Sequence, residues 1–557
     1  MKQIYKSSLF LLAILFSSIT LCIAQDSISS TPNFLFLICE DISPYLSFYG
    51  DRTAKTPNLD KLAKESLIYD NAFTTVGVCA PSRSTMITGM YPVSIGTHNM
   101  RTGKSYSGWG FRAYTKLKKT QRDQKNIPFS MYSAVVPPEV KCFTKFMREA
   151  GYYCTNQGKS DFQFDSPLSA WDENGKGHYK NREDGQPFLS MLNFGVTHES
   201  RIWIKSEDSL RIDPDKVNLP SYIPDFEQSR IDYARNYSNI EELDAQMGRA
   251  IKELKASGEY ENTYIIFMSD HGGPLPRGKR LIYDSGLKVP FMVRFPNQQK
   301  VGRTDQLISF VDIAPTILSL AGVDVPDYLQ GKAFLGKQEG ADNEYVFGSR
   351  DRFDEFYDRS RSIRNKNFLL VKNYYLDQPL YLDLKYRKQI PFMNEFLRMR
   401  DNGELNETQM LWFNPSKPKI EFYDVVVDPE QINNLAHLPQ YQDEIKTMLA
   451  ELESWQKRVD DKGAIPEADL LLGMWPDMIQ PRTAEPKVEL VDKAYEAICE
   501  TDGADIVYQY SESVDTITTL DHWKTYTKPL EKRNGTYLHV RATRIGYADS
   551  RSIIIKM

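Results

Sequence analysis

The chain reads as an α/β fold, a mixed sheet covered by helices on both faces, followed by a smaller α+β region and a terminal β-sandwich module. Three observations predict it. Short apolar runs such as Asn33–Cys39 are continuous rather than alternating, as in strands buried on both faces. Amphipathic helical stretches lie between those runs, the alternation that builds a doubly covered sheet. Finally, 557 residues that are 41% hydrophobic and 26% charged supply a large core. At roughly 100–200 residues per domain they make two to four units.

Residues 1–24 read as an export signal. Lys2 and Lys6 precede an apolar run, Leu9–Phe16, and Cys22-Ile23-Ala24 precedes Gln25. The run is shorter than the ~20 residues of a spanning helix. No other segment is long and apolar enough, so no integral membrane segment is expected. The mature protein is expected to be periplasmic or secreted.

Residues 25–340 carry the strand–helix alternation. The strand Asn33–Cys39 is followed by Glu40-Asp41, a second, Phe188 to Val196, by Thr197-His198, and a third, Thr263 to Met268, by Ser269-Asp270-His271. Between them, Tyr233, Tyr237, Ile240, Leu243, Met247, Ile251 and Leu254 recur at spacings of three and four, a helix ending near Gly258. In such sheets ligands sit beyond strand C-termini, where these acids and histidines converge.

Residues 341–480 read as a mixed α+β subdomain, with a strand Ile420–Val427, a turn at Asp428-Pro429 and a helix near Tyr441–Val459. A connector, Pro476 to Pro486, leads to residues 487–557. These hold β-rich stretches at Ile506–Tyr510 and Tyr537–Thr543 and an Asn534-Gly535 turn, the signs of a small β-sandwich.

Lys plus Arg number 69 against 74 Asp plus Glu, a net charge of −5, which argues against a nucleic-acid partner. A local basic pocket for an anionic substrate is still compatible with it. Once the signal is removed, five scattered cysteines remain: Cys39, Cys79, Cys142, Cys154 and Cys499. That is no disulfide framework. Cys142 and Cys154 stand either as a pair or as two buried thiols.

The sharpest motif is Cys79-Ala80-Pro81-Ser82-Arg83 followed by Thr88-Gly89. With Glu40-Asp41 upstream and Asp270-His271-Gly272 downstream, the chain resembles the type I sulfatases of the alkaline-phosphatase-like superfamily. Their Cys-x-Pro-Ser-Arg-x4-Thr-Gly pattern is matched at every fixed position. The resemblance runs from Pro32 to about Ala436 and excludes the terminal module. In wording it is nearest to bacterial heparan N-sulfatase-like enzymes, a group that includes sulfatases acting on algal polysaccharides such as ulvan.

The resemblance implies that a sulfatase-maturing enzyme, formylglycine-generating or other, oxidises Cys79 to formylglycine. One oxygen of the aldehyde hydrate attacks sulfur and the other expels sulfate. It also implies that Glu40, Asp41, Asp270 and His271 hold one divalent metal with the residue at 79. The carboxylates favour Ca²⁺, while the imidazole leaves a transition metal open. Glu40 stands where many relatives have Asp.

By the same resemblance Arg83 orients the hydrate, and Lys159 and Lys279 grip the sulfate. His198 protonates the leaving oxygen, a general-acid task that a sugar hydroxyl requires. The family's Gly-Lys-x-His is here Gly158-Lys159-Ser160-Asp161, so the usual base histidine is missing and either Asp161 or His98 takes its place. His98 and nearby Arg101 also stand as substrate ligands, as do Arg350, Arg352 and Asp354, in a charged run that reads equally as a solvated face. His178, His437, His522 and His539 read as structural or surface groups.

The expected function is hydrolysis of sulfate from a sulfated carbohydrate, algal or glycosaminoglycan. A formylglycine-dependent phosphate or phosphonate ester hydrolase and an inactive glycan-binding protein are the alternatives.

Overall fold

The computed structural model describes residues 31–104, 107–112, 114, 121–515 and 517–557. The export signal read at residues 1–24 lies outside them. The centre is an eight-stranded sheet of β1 (Asn33–Cys39), β2 (Leu67–Phe73), β3 (Tyr153–Gln157), β4 (Glu173–Gly175), β5 (Phe188–Phe194), β6 (Thr263–Ser269), β7 (Phe291–Arg294) and β8 (Gly302–Ser309). Their spatial order is β8-β2-β7-β6-β1-β5-β3-β4. Only β7 runs antiparallel to its neighbours, β2 and β6. All the other strands therefore end at one edge.

The lack of alternation in β1 follows from its position in the middle of the sheet. Leu35, Leu37 and Cys39 enter one core layer with Leu243 and Met247 of helix α2 (Glu227–Ala256). Phe34, Phe36 and Ile38 enter the opposite layer with Met86 and Ile87 of helix α1 (Cys79–Thr88). The stripe read from Tyr233 to Leu254 is the buried face of α2.

After the main sheet, β9 (Val346–Arg350), β10 (Ser360–Arg364), β11 (Phe368–Asn373) and β12 (Ile420–Asp424) form an antiparallel sheet. Helix α3 (Gln442–Arg458) covers it, packing Met448, Leu452 and Trp455 onto Phe347, Ile363, Leu370 and Phe422. The strand expected to reach Val427 stops at Asp424. There the Asp424 carboxylate accepts the N–H groups of Val426 and Val427 at 3.1 and 3.3 Å, and its carbonyl accepts that of Asp428. An Asx turn thus outcompetes β-propensity, and Val426 and Val427 are exposed.

The terminal residues form a three-stranded and a four-stranded antiparallel sheet that share a core of Tyr495, Ala497, Leu530, Leu538 and Val540. They are fastened to the main body. Val507 and Trp523 cluster with Leu168, Asp505 pairs with Lys141 at 3.2 Å, and Trp109 donates to Asp521 at 2.7 Å. The Pro476–Pro486 connector is bound as well: Thr483 and Pro481 exchange backbone hydrogen bonds with Ala548. Cys142 and Cys154 are separate buried thiols, and Cys154 donates to the Thr144 carbonyl. Among the described residues no helix is long and apolar enough to cross a membrane.

Leu37 is fully buried at the centre of β1. Leu37→Ala is expected to lower unfolding free energy by roughly 2–5 kcal/mol in urea titrations. A loss below about 1 kcal/mol would contradict the packing described.

Candidate active site

The parallel strands deliver the polar residues to one edge. In register, Cys39 of β1 lies opposite Ser269 of β6 and Phe194 of β5. The chain therefore leaves three adjacent strands as Glu40-Asp41, Asp270-His271 and, a few residues on, His198-Glu199. β3 adds Gly158-Lys159. The Asp270 N–H bonds the Cys39 carbonyl at 3.0 Å, and the Asp41 N–H bonds Asp270 Oδ1 at 3.1 Å. Asp41 has a left-handed backbone (φ 55°), uncommon for a non-glycine residue though more accessible to Asp than to most.

Cys79 opens α1, with all ten residues of that helix buried. Ser82 ties the helix to the strand end by donating to the Asp270 carbonyl, and Thr74 and Ser82 share a hydrogen bond at 2.6 Å. A Cβ on Gly272 would lie 2.2 Å from the Ser285 carbonyl oxygen, so the Asp-His-Gly turn and the Tyr283–Leu287 segment interlock only with glycine there.

The carboxylates divide their oxygens. Asp41 Oδ2 accepts from Lys279 Nζ at 2.7 Å and from the Glu199 N–H at 2.7 Å, while Oδ1 faces His271 Nε2 at 3.1 Å. Asp270 Oδ2 pairs with Arg83 Nε at 3.0 Å, while Oδ1 lies 3.7 Å from the same imidazole nitrogen. His271 Nδ1 sits 2.9 Å from the Gly272 carbonyl, which can only accept, so Nδ1 carries the proton and Nε2 faces the acids. Cys79 Sγ is 3.2 Å from that Nε2 and 3.9 Å from Asp41 Oδ1. Ligand atoms of Asp41, Cys79, Asp270 and His271 all lie within 4.8 Å of one another, as do those of Glu40, Asp41, Cys79 and His198.

Burial works against every charge in this cluster, and the opposite charges outweigh it. Burial opposes the Cys79 thiolate, but Lys159 and Lys279 hold the thiol well below its usual range. Burial likewise opposes ionisation of Asp270, which His271 and Arg83 nevertheless lower to about 2. His271 is raised to about 10: burial disfavours the imidazolium, but Asp270 and Asp41 demand it. The cluster thus calls for a cation where those oxygens converge, and hard carboxylate donors with one imidazole suit a divalent ion there.

A cavity of about 580 Å³ opens over the cluster, lined by Glu40, Cys79, Met100, Arg101, Ser107, Lys159, Asp161, Gly195, His198, Ser200, Arg201, Lys279 and Tyr386. Lys159 Nζ reaches Glu40 Oε2 at 3.0 Å, and Lys279 Nζ lies 3.3 Å from His198 Nε2. Asp161 is buried at the wall, and burial lifts it to about 6. Arg83 lies behind the cavity wall, bonded to Asn193 at 2.6 Å, with Nη2 unpaired among the described residues.

Four residues read from the sequence belong neither to the acid cluster nor to the cavity lining. His98 is buried, with Asp351, Arg361 and Asp461 among the charges acting on it, and burial lowers its pKa. Arg350 pairs with Asp358 at 2.8 Å. Arg352 forms a double ion pair with Glu467, and Asp354 accepts from Arg101 Nε at 2.6 Å and Arg280 Nε at 2.9 Å. Their run alternates along a buried ion-pair network, so it is no solvated face.

Glu199 was not singled out from the sequence. It is fully buried and bonds Arg280 through both oxygens, at 2.8 and 3.0 Å, with Lys279 at 3.4 Å and Arg387 at 3.7 Å. A charged residue directly after His198 at a buried strand end was the available signal. Tyr386 and Arg201, also at the cavity, carried none.

Acids gathered at a sheet edge, a cysteine opening a buried helix and two lysines beside it make a cavity whose fixed charges suit an oxyanion. Residues 32–323 match the Sulfatase family, and residues 277–407 match the family described as N-sulphoglucosamine sulphohydrolase, C-terminal. The chain belongs to the sulfatase family and is a sulfuric ester hydrolase. It is 39% identical to an ulvan-active sulfatase of Formosa agariphila, over 94% of this chain and 91% of that one. It is 24% identical to the human N-sulphoglucosamine sulphohydrolase, over 77% and 90% of the two chains. A solved structure in complex with its substrate D-glucosamine-2-N,6-O-disulfate shares the fold, with a TM-score of 0.52 and 18% identity over 78% of this chain and 99% of that one.

The imidazolium gives a pH test of the cluster. His271 rises from 6.5 to about 10 on folding, so its contribution to the metal-free protein is complete below 6.5 and is lost as pH climbs to about 10. Urea denaturation in chelator is expected to show stability falling across that range, and His271→Gln is expected to flatten the fall. An identical slope in both proteins would contradict the charge arrangement.

Proposed function

We propose that the protein removes sulfate from a sulfated polysaccharide or its oligosaccharides, of ulvan or glycosaminoglycan type, in the periplasm or outside the cell. The observation that carries this reading is the placing of Cys79 Sγ, 3.2 Å from His271 Nε2 and 3.9 Å from Asp41 Oδ1, in a cavity that Lys159 and Lys279 also line. The relatives named above supply the substrate class, and the leader-like residues 1–24 supply the compartment.

In this reading a maturing enzyme converts Cys79 to formylglycine, and Asp41, Asp270 and His271, with Glu40 adjoining, hold one divalent cation, Ca²⁺ by donor chemistry. Together these groups supply an activated hydroxyl and neutralise sulfate charge. The unpaired Nη2 of Arg83, fully buried, suits an oxygen-bearing side chain at position 79 better than a thiol. Lys159 and Lys279 bind the sulfate oxygens, fixed charges that need no reorganisation as charge develops. His198, held by Ser200 at Nδ1 (2.9 Å), presents Nε2 to donate a proton to the leaving oxygen. Asp161 takes the proton from the hydrate as sulfate departs, replacing the family's histidine.

Mass spectrometry of the peptide spanning Val78–Arg83 is expected to show a residue lighter than cysteine at 79. Cys79→Ala is expected to lower kcat/KM for sulfate release by at least about 10³-fold with the fold intact. Activity retained in that variant would overturn the assignment. If Asp161 is the base, kcat rises with pH through about 6, where burial places its ionisation. Asp161→Asn is expected to remove that limb, and an unchanged profile would exclude the role.

A further inference from the structure

Resting on the sulfatase reading of the cavity, we propose that Arg101 receives a second anionic group of the substrate, a carboxylate or a further sulfate, beside the one that is cleaved. We propose also that Arg352 and Asp354 serve by positioning Arg101 rather than by touching substrate.

The contrast among the arginines carries the argument. Arg350, Arg352 and Arg361 are buried and ion-paired, as structural guanidinium groups are. Arg101 lies at the cavity wall with its side chain 29% exposed, its guanidinium 5.3 Å from the centre of the Tyr386 ring. It is nonetheless held tightly. Asp354 Oδ1 accepts from its Nε, and Asp354 Oδ2 accepts from Arg280, which grips Glu199, which in turn pairs with Lys279 on Asp41. One chain of ion pairs thus links the wall to the acid cluster.

Asp41, Arg101, Arg280 and Asp354, all in that chain, have left-handed backbones, with φ of 55°, 60°, 78° and 55°. Such conformations persist where the surroundings over-determine them, and they gather at functional sites. The backbone beside Arg101 is pinned from the second subdomain: Arg352 Nη1 donates to the Met100 carbonyl at 2.7 Å, and the Met100 N–H donates to the Arg352 carbonyl at 2.8 Å. Arg352 itself is fixed by Glu467.

Lys159 and Lys279 already serve the scissile sulfate, so a preorganised guanidinium at the wall is placed for another part of the sugar. Its planar fork matches carboxylate or sulfate in two parallel hydrogen bonds, which a neutral hydroxyl cannot supply. Arg201, on the same cavity, adds positive charge.

The test crosses substrate with variant. Wild type, Arg101→Gln and Asp354→Asn are assayed by sulfate release from three sulfated disaccharides. One carries a uronate carboxylate, one has that carboxylate reduced to the alcohol, and one carries a second sulfate instead. Wild type is expected to show a KM at least about tenfold lower for an anion-bearing substrate than for the reduced one, with kcat within about threefold. In Arg101→Gln that preference is expected to vanish, and in Asp354→Asn to shrink. Which anion is preferred identifies its source. Retention of the wild-type preference in Arg101→Gln, or equal KM for all three substrates in wild type, would overturn the proposal. Failure of wild type to release sulfate from any of them would instead overturn the substrate class proposed above.

Discussion

The structure depends on a concentration of negative charge buried at one edge of the central sheet. Asp41 and Asp270 are both buried beside one imidazole, and buried like charges repel strongly at low dielectric. They are tolerated because each gives one oxygen to a fixed cation, Lys279 or Arg83, and turns the other toward a common point. The proton on His271 meets that demand when no metal does. In the function proposed above, a cation and an oxyanion would share the same electrostatics, since the lysines that compensate the acids also face the cavity.

The rest of the fold holds this cluster in place. The parallel edge brings three strand ends side by side, and the buried helix α1 presents Cys79 from a fourth element. Around it, Glu199 gathers Lys279, Arg280 and Arg387 so that cations are not left uncompensated. Residues after 340 reach into the same network through Asp354 and Arg352. The terminal sheets brace the wall from outside: Asp521 accepts from Trp109 at 2.7 Å and from the Asn174 N–H at 3.1 Å, and Asn174 holds the Gly108 carbonyl next to Ser107.

Much of this was legible because it lies in short segments with strong local signals. The continuous apolar runs marked β1, β5 and β6 within two residues of their ends. The acids and histidines after them were readable as strand-end groups without knowing which strands were neighbours. The motif at Cys79 marked the residue, though not that it opens a helix. What stayed hidden depends on distant pairing. Nothing near Glu199 announces that Arg280 and Arg387 will meet it, and nothing near Arg352 announces Glu467, more than a hundred residues away. The run from Arg350 to Asp354 read as ligands or as a solvated face because charged residues are rarely buried unless paired, and the partners lie elsewhere in the chain. The strand at Ile420 was overextended because β-branched Val425, Val426 and Val427 mask the turn that the Asp424 side chain makes.

The central claim is that the Asp41, Asp270 and His271 cluster is a cation site whose proton is a placeholder. Calorimetric titration of Ca²⁺ into chelated protein at pH 8, repeated in buffers of different ionisation enthalpy, tests it most directly. The account predicts one ion bound per chain with release of close to one proton, and loss of both in Asp270→Asn. Binding without proton release, or binding unchanged in that variant, would contradict it.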